Sequence, residues 1–374
     1  MALLLARQGH HITLFEQYIE PKPIGSGLLI QPSGQEVLSK LGLLDTIKRL
    51  GSPVVQLHGI SVQRNRRALD MQYANFGEGI PALGIHRASL FQTLMDAVSE
   101  ENILVVVDSE LIDVEETEFS IRPKFAKERK TIDFDLLVDA SGANSPLATG
   151  NKKELKFGAF WTTVDLPSNH GILGKALDQR YSYAEKMAGI MPVGVNPSTG
   201  NPGAAVFWSE RPEEVKKTRA TGIDAFRANY CELWPEAEPF VSQIKSMDAL
   251  TMAIYAHRTG KTRSNRRLFH VGDSWHCTSP QLGQGANMAL MDAAALAEAV
   301  ANATTIDDVA KRYQKSRAFH ITLYQMLSRL FTPLYQSNSK FLPLVRDIAI
   351  HYFARWPLID RFIAKTVSGQ LGRR

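Results

Sequence analysis

The stretch that decides the fold runs from His270 to Val300 and reads HVGDSWHCTSPQLGQGANMALMDAAALAEAV. An apolar segment at residues 268–271 predicts a short strand that ends just before Asp273. The Asp273 carboxylate therefore stands at the carboxyl end of a strand, which is where open α/β sheets bind ligands. Gly283 and Gly285 remove side chains from the following loop, and the Ala-rich segment behind them favours a helix. The first free N–H groups of that helix would face an electron-rich ligand.

This stretch contains one ordered block of residues. The block comprises Gly272-Asp273, Ser279-Pro280, Gly283-Gln284-Gly285-Ala286-Asn287-Met288-Ala289-Leu290 and Asp292-Ala293. It resembles the second flavin motif of FAD-dependent aromatic hydroxylases, the group A flavoprotein monooxygenases, a family that includes the ubiquinone-pathway hydroxylases. So many matched positions in one order are hard to obtain by chance. The alternative is an ordinary buried Ala-rich helix after a glycine turn.

The composition narrows the class of protein. A chain of 374 residues has room for two domains, or for one large domain with an insertion, and its 44% hydrophobic content is typical of a soluble globular protein. Cys231 and Cys277 are too few for a disulfide framework or a zinc site, and no metal site is expected. No apolar run is long enough for a membrane span and the start does not resemble a signal peptide, so the expected location is the cytoplasm.

The net charge of +5 is unevenly distributed. Residues 301–374 contain four Lys and eight Arg against four Asp, a net charge of +8, which leaves −3 for residues 1–300. The basic residues alternate with apolar ones instead of clustering, and this pattern is typical of a solvated amphipathic helical face. No nucleic-acid partner is expected. Weak peripheral membrane contact by basic C-terminal helices is the alternative.

The amino-terminal region resembles only the later part of the family's dinucleotide-binding fingerprint. Ala2, Leu5 and Gly9 match its end, and a predicted strand ends at Glu16, the position at which an acid binds the adenosine ribose. The register puts the last fingerprint glycine upstream of Met1. The Gly-x-Gly-x-x-Gly turn and the first strand are therefore missing from the sequence, and we expect a truncated gene or a misassigned start codon. For Glu16 the alternative is a surface acid after a strand.

Three further segments resemble parts of the family's flavin site. Residues 25–43 match a small-residue turn, strand and helix, in which Gly27 would allow close backbone passage near the flavin ring. Arg87 matches an arginine that approaches FAD, although a surface salt bridge is the alternative. The segment DLLVDASGANS at residues 135–145 matches a turn across the cofactor, with Ser141 where hydroxylases usually have an aspartate linked to nicotinamide binding.

The resemblance implies an α/β fold: an FAD-binding Rossmann-like, three-layer domain without its first strand, an antiparallel-sheet substrate domain and a C-terminal helical region. Alternating strand patterns without intervening helices also predict the antiparallel sheet directly. Trp161, Met191, Phe207 and Trp208 either line an apolar substrate cavity or belong to the core. The expected divisions are FAD-binding residues 1–72, 86–155 and 263–305, a substrate-domain strand excursion at 73–85, the substrate-binding sheet at 156–262 and C-terminal helices at 306–374.

The implied function is that of an FAD-dependent monooxygenase acting on an aromatic or polyketide-like small molecule. NAD(P)H, as a transient co-substrate, would reduce FAD, O2 would add at flavin C4a, and the resulting hydroperoxide would transfer a hydroxyl group. Pro280, the catalytic candidate, would help exclude water near the flavin. The implied cofactor-binding residues are Glu16, Gly27, Arg87, Asp273, Gly283, Gln284, Gly285, Ala286 and Asn287.

Two alternatives to the monooxygenase stay open. Ser141 favours a flavin reductase or halogenase on the same scaffold, whereas the absence of a Trp-x-Trp-x-Ile-Pro signature disfavours a halogenase. An inactive truncated remnant that has lost FAD binding is the other alternative. His257 and Arg258 are expected at the surface, and we reject a nucleophile role for Cys277. The sequence leaves open the substrate, the choice between NADH and NADPH, and the assembly, for which a homodimer is one candidate.

Overall fold

The computed structural model describes residues 1–21, 25–75, 79–127, 131–168, 171–263, 265–353 and 356–371. The helices in these ranges are α1 (Ala2–Ala6), α2 (Pro32–Lys40), α3 (Leu44–Leu50), α4 (Arg87–Glu100), α5 (Val215–Leu233), α6 (Glu238–Val241), α7 (Gly285–Asn302), α8 (Ile306–Tyr335), α9 (Phe341–Phe353) and α10 (Pro357–Val367). The strands are β1 (Thr13–Phe15), β2 (Gly27–Ile30), β3 (Ser52–Val54), β4 (Gln56–Ser61), β5 (Arg66–Gln72), β6 (Ala82–His86), β7 (Leu104–Val106), β8 (Leu111–Glu116), β9 (Ile121–Phe125), β10 (Leu137–Asp139), β11 (Lys153–Glu154), β12 (Gly158–Asp165), β13 (Ala176–Ser182), β14 (Lys186–Val195), β15 (Pro202–Glu210), β16 (Thr251–Ala253), β17 (Ala256–Thr259), β18 (Leu268–His270) and β19 (His276–Cys277).

The largest sheet is the one that the alternating patterns predict. Its seven strands follow the order β16-β12-β15-β14-β13-β4-β5, and neighbouring strands are antiparallel except for β13 and β4. Because side chains alternate along β15, Trp208 faces α5 and packs on Tyr230, whereas Phe207 lies on the opposite face beside Trp161. That opposite face also carries Met191 and packs against the strands β2, β3 and β6. Trp208 therefore belongs to the core beneath α5.

One boundary differs from the sequence-based division. Strands β4 and β5 belong to the large sheet, so residues 56–72 lie in it, whereas the expected excursion covered residues 73–85. Strand β6, at residues 82–86, instead pairs with β2 and β3, and residues 76–78 lie outside the described ranges. The difference arises because an alternating pattern identifies a strand but not the sheet that the strand joins.

The parallel strands of the Rossmann-like half form two pairs. Strand β1 pairs with β7, and β10 pairs with β18, with Asp139 opposite His270. The two pairs place Glu16 and the Asp273 turn at carboxyl ends of parallel strands, as the sequence patterns predict. The mixed α/β architecture, with a large sheet and C-terminal helices, agrees with the predicted fold class.

Helix α7 lies at the centre of the Rossmann-like half. Met288 and Leu296 on its buried face pack with Phe269 of β18 and Tyr313 of α8. Helix α2 crosses α7 so closely at Gly34 that a Cβ atom there would overlap Asn287 Oδ1. The start of α7 is thus held by elements from both ends of the chain.

The C-terminal helices cover the sheet and the Rossmann-like half. Helix α9 packs against β5. Helix α10 packs through Ala364 and Val367 on the inner face of the large sheet, which is the face that carries Met191 and Phe207. Among the described residues, no helix combines the length and the apolar character that a bilayer span requires.

Candidate functional site

Asp273 lies in the turn after β18, where the sequence patterns place it. Gly272 adopts a φ of 60° and donates its N–H to Asp292 Oδ2 at 2.9 Å, which fixes the turn. The Asp273 side chain is open to solvent, yet the protein around it excludes enough water for desolvation to raise the pKa of its carboxyl, against the charges of His276 and Arg87. No side chain in the described ranges donates a hydrogen bond to this carboxylate. It is therefore suited to accept hydrogen bonds from a ligand's hydroxyl groups.

The first turn of α7 faces open space. Gly283 turns the chain with a φ of 60°, and the helix begins at Gly285, where an added Cβ would meet no atom within 4 Å. The first N–H groups of a helix have no partner inside it and carry partial positive charge. The loop and the helix start therefore form a site for an electron-rich or anionic group.

The Asn287 side chain is used inside the protein. Its Oδ1 accepts the Gln31 N–H at 2.8 Å, and its Nδ2 donates to the carbonyls of Leu29 and Gly283 at 3.0 and 2.9 Å. These bonds join β2 and α2 to the loop before α7. At Asn287, as at Ala286 next to it, the backbone N–H is the group suited to a cofactor contact.

Gly27 and Arg87 lie close together, because Gly27 of β2 pairs with His86 of β6. A Cβ at Gly27 would overlap Val193 of β14, so the approach of the large sheet already requires glycine there. Arg87 begins α4 with its N–H bonded to Ser26 O at 2.8 Å, and its exposed guanidinium runs beside Gly25. Its charge acts to lower the pKa of both Asp273 and Tyr255. Arg87 therefore lies near Asp273, as a shared role in binding one ligand requires.

Glu16 follows β1 directly. Its N–H bonds to Val106 O at 3.0 Å, and its Oε1 accepts the Tyr18 N–H at 3.0 Å. The side chain is half-buried at the edge of the Rossmann-like half. Its position at the end of a parallel strand is the one expected for a ribose contact.

Ser141 is turned towards its own loop. Its hydroxyl donates to Asp139 Oδ1 at 2.6 Å, and Ser145 and His270 bond Asp139 Oδ2 at 2.6 and 2.9 Å. Although desolvation raises the pKa of the Asp139 carboxyl, the hydrogen bonds from His270, Ser141 and Ser145 outweigh it and leave the pKa below its usual value. This cluster fixes the turn that follows β10.

The loop from His276 to Pro280 is anchored by buried polar contacts. His276 Nε2 lies 2.6 Å from Asp292 Oδ2, and burial raises the pKa of the Cys277 thiol, so these two residues do not form an activated nucleophile pair. The Ser279 hydroxyl bonds to Ser328 and Thr332 of α8 at 2.9 and 2.7 Å. Half-buried Pro280 follows this anchor, at the side of the loop that leads to Gly283.

Two site residues were not predicted from the sequence. Tyr255 accepts a hydrogen bond from Trp161 Nε1 at 2.8 Å, and burial raises its pKa to about 12. Arg258 is buried and donates to the Asp273 carbonyl at 2.6 Å, so the expected surface position of His257 and Arg258 is wrong. A short strand such as β17 offers too few positions for a pattern to show which residues face inward.

The C-terminal segment closes the far side of the α7 loop. Gln284 Nε2 donates to Val367 O, and the Ser33 N–H lies 3.4 Å from Ser368 O. Gly369 has a φ of 79°, and a Cβ there would overlap the Ser33 hydroxyl. Gln284 Oε1 and Ser33 Oγ are buried without a partner among the described residues. The Gln284 side chain thus points at the C-terminal segment rather than at the open space before α7.

A methyl group added at two glycines of this region should affect two different quantities, ligand binding at Gly285 and stability at Gly34. Gly285→Ala meets no atom of the protein, so we expect unchanged stability but roughly tenfold weaker binding of a ligand in front of α7, an overpacking cost of about 1–3 kcal/mol. Gly34→Ala should instead lower the free energy of unfolding by about 1–3 kcal/mol, because Asn287 is held by three hydrogen bonds and cannot yield freely. Urea unfolding and flavin titration of both variants measure these effects. Equal flavin affinity in Gly285→Ala and in the unmodified protein would contradict the placement of the flavin in front of α7.

A cavity elsewhere is separate from this arrangement. It has a volume of about 590 Å³ and lies between the outer face of the large sheet and α5, lined by Trp208, Glu210 and Phe226 among others. None of the residues around Asp273 lines it. In the described parts of the chain, no cluster of three His, Cys, Asp or Glu side chains could hold a metal ion.

The Asp273 carboxylate, the open helix start and Arg87 together suit the ring and ribityl parts of FAD, and known proteins match the chain accordingly. The family described as "FAD binding domain" matches residues 1–324. FAD-dependent urate hydroxylase of Klebsiella oxytoca is 22% identical over 333 residues, covering 84% of this chain and 82% of that protein. The 6-hydroxynicotinate 3-monooxygenase of Bordetella bronchiseptica is 24% identical over 347 residues, covering 87% and 86%.

A solved structure matches the whole fold. The crystal structure of Klebsiella pneumoniae HpxO complexed with FAD and uric acid superposes with a TM-score of 0.81 at 18% identity, and the match covers 99% of this chain and 94% of that one. At 18% identity, this similarity shows that the two proteins share a fold. This match confirms the predicted α/β fold, and the family match over residues 1–324 confirms its FAD-binding half.

Proposed function

Because this chain belongs to the FAD-binding domain family and is an FAD-dependent oxidoreductase, we propose that it is a monooxygenase that uses NAD(P)H and O2 to hydroxylate a small aromatic molecule. The observation that carries the proposal is the Asp273 carboxylate, which is open to solvent and has the charge of Arg87 nearby, together with the open first turn of α7. Bound FAD supplies the electron transfer and the oxygen activation there. The protein supplies binding, orientation and a dry environment.

Each predicted cofactor residue has a distinct part in this proposal. Asp273 accepts hydrogen bonds from the ribityl chain, Arg87 binds the pyrophosphate or the ribityl chain, and Glu16 binds the adenosine ribose. The first turn of α7 stabilises negative charge on the flavin ring by on the order of 1 kcal/mol. The residues that form this loop and turn are Gly283, Gln284, Gly285, Ala286 and Asn287, with Gly27 on the facing strand.

The substrate side of the proposal rests on the inner face of the large sheet. Trp161 and Phe207 lie with ring centroids 4.6 Å apart, and Tyr255 receives the Trp161 N–H, which leaves the Tyr255 hydroxyl proton to donate. With a pKa of about 12, this hydroxyl stays protonated at neutral pH. Pro280 helps to keep water from the reacting atoms. An aromatic substrate class agrees with urate and 6-hydroxynicotinate, which the names of the relatives give.

The test is turnover of the purified protein with FAD, NADH or NADPH, and a panel of small aromatic compounds that includes urate and 6-hydroxynicotinate. We expect one compound to accelerate NAD(P)H oxidation and to gain one oxygen atom from isotopically labelled O2, detected by mass spectrometry. NAD(P)H oxidation that yields hydrogen peroxide and no oxygenated product across the panel would count against the proposal.

A second candidate is an FAD-dependent reductase or halogenase on the same scaffold. It is favoured by Ser141, which stands where the hydroxylases usually carry an aspartate. The Ser141 hydroxyl donates to Asp139. A reductase would transfer electrons to an organic acceptor without O2, and a halogenase would require added halide for product formation. Anaerobic turnover and halide dependence therefore distinguish these activities from the monooxygenase.

A further inference from the structure

Helix α9 has its polarity reversed relative to an ordinary surface helix. Its solvent-facing side carries Phe341, Val345 and Ile348, which are 68%, 43% and 38% exposed. Its inward side carries Arg346 and Asp347, which are 2% and 0% exposed. A surface helix normally buries its apolar stripe and exposes its charges. The outward face of α9 is therefore suited to an apolar environment.

The inward charges of α9 have partners in the protein, and these contacts fix the orientation of the helix about its own axis. Arg346 Nη2 donates to Asp347 Oδ1 at 2.6 Å, and its guanidinium lies 4.8 Å from the Tyr181 ring centre and 5.1 Å from the Tyr335 ring centre. Arg64 of the β4–β5 turn approaches Asp347 Oδ2 at 3.5 Å. Turning the helix over would break this buried network. The apolar exposure is thus a consequence of the packing itself.

The second half of α8 also exposes apolar side chains and buries polar ones. Phe319, Met326 and Leu330 are 65%, 56% and 62% exposed, and their spacing of seven and four residues puts them on one face of the helix. The opposite face buries polar Gln325 and Ser328. We refer to Phe319, Met326, Leu330, Phe341, Val345 and Ile348 as the C-terminal apolar face.

Basic side chains accompany this face. Lys315, Arg329, Lys340, Arg361 and Lys365 are all exposed on α8, on α10 or in the turn before α9. None of the five forms an ion pair with a described residue, whereas exposed Asp307 and Asp308 are paired with Arg263 and Arg312. Lys315, Arg329 and Lys340 each lie within four residues of an apolar side chain of this face, so positive charge accompanies it along the chain.

We propose that the C-terminal apolar face docks on the surface of an anionic lipid bilayer. Apolar side chains beside lysines and arginines are the combination that binds a headgroup interface, where each cation near an anionic surface contributes about 1 kcal/mol. A symmetric pairing of two copies through this face would bring the same cations together, and like charges oppose such contact. The charge pattern thus selects the lipid surface over a second copy. The inference does not depend on the reaction that the enzyme catalyses.

The experiment is co-sedimentation of the full-length holoprotein with vesicles. We expect binding to phosphatidylcholine vesicles that contain roughly one-third phosphatidylserine, little binding to pure phosphatidylcholine, and weaker binding at high salt. The double variant Phe341→Ser, Val345→Ser should bind about tenfold more weakly. Arg329→Gln and Lys340→Gln should each lower binding about fivefold, the equivalent of about 1 kcal/mol per charge.

Matched controls come from exposed residues on other elements. Phe119→Ser in the turn between β8 and β9 and Lys216→Gln on α5 should leave vesicle binding unchanged. Unaltered FAD content and thermal midpoint show that each variant is folded. Absent binding to the anionic vesicles, or full binding by the Phe341/Val345 variant, would overturn the proposal. So would sedimentation velocity that shows a lipid-free dimer which the same double variant dissociates, because the face would then belong to a second copy.

Discussion

Asp273→Ala should weaken FAD binding by about 10–100-fold without lowering the stability of the FAD-free protein. The affinity falls because the site loses a charged hydrogen-bond acceptor, whose bonds are worth about 1.5–3 kcal/mol. The free energy of unfolding does not fall, because desolvation has raised the pKa of this carboxyl and its ionised form therefore destabilises the folded state. Flavin titration by fluorescence and urea unfolding of the FAD-free protein measure the two quantities separately.

The pH dependence supplies an independent check on Asp273. A raised pKa in the folded protein means that folding favours the protonated form, so stability is lost as pH rises from the usual value of 3.8 through the raised value. The stability advantage of Asp273→Ala should therefore be present at neutral pH and vanish as pH falls towards 3.8. Asp248→Ala, an exposed acid on another element, is the control and should change neither affinity nor stability. A loss of apoprotein stability in Asp273→Ala at neutral pH would show that the carboxylate is structural.

Asp292→Ala should have the largest effect on stability, a loss of about 3–5 kcal/mol in the free energy of unfolding. Asp292 is fully buried, and its carboxylate bonds Arg317 Nε at 2.8 Å and His276 Nε2 at 2.6 Å. Desolvation alone would raise its pKa, but His276 and Arg317 outweigh this and lower it. Truncation leaves the Arg317 guanidinium buried without its counterion. Urea unfolding followed by tryptophan fluorescence measures the loss.

The matched control is the exposed pair on α8. Asp308 and Arg312 are 2.8 Å apart at the surface, where such a pair contributes only about 0.5 kcal/mol, so Asp308→Ala should be nearly neutral. The double variant Asp292→Leu, Arg317→Met should recover part of the loss, because no uncompensated charge remains. Similar losses in Asp292→Ala and Asp308→Ala would mean that the buried network does not stabilise the fold.

Asp292 also links the stability of the fold to the proposed cofactor site. Its Oδ2 accepts the Gly272 N–H, so the carboxylate that pairs with Arg317 also holds the turn that carries Asp273. We expect Asp292→Asn, which keeps the side-chain volume, to weaken FAD binding more than a variant of equal stability at a distant site.

The parts of the site built from local sequence could be predicted. The strand, the Asp273 turn, the glycine loop and α7 all lie within one continuous segment, and their spacing determines their geometry. The strands around Phe207 followed from their alternating pattern, and helix α2 followed from the resemblance of residues 25–43 to the family's block. Local patterns suffice when the residues that make contact are also close along the chain.

The remaining parts depend on contacts between distant residues. Arg258 reaches the Asp273 carbonyl and Tyr255 reaches Trp161 only because separate strands meet, and neither residue belongs to a motif. The membership of β4 and β5 in the large sheet is likewise a property of strand pairing. The reversed polarity of α9 also needs Arg64, Tyr181 and Tyr335 to explain it.

The contact of residues 367–369 with Gln284 and Ser33 has a consequence for the biosynthesis of the enzyme. Ser33 emerges from the ribosome more than 300 residues before Ser368, so the wall behind the α7 loop is closed only after Ser368 has been made. Domains otherwise begin to fold from the amino terminus during synthesis. Insertion of the cofactor should therefore follow translation, and ribosome-bound chains arrested before Ala364 should fail to retain the FAD that released chains bind.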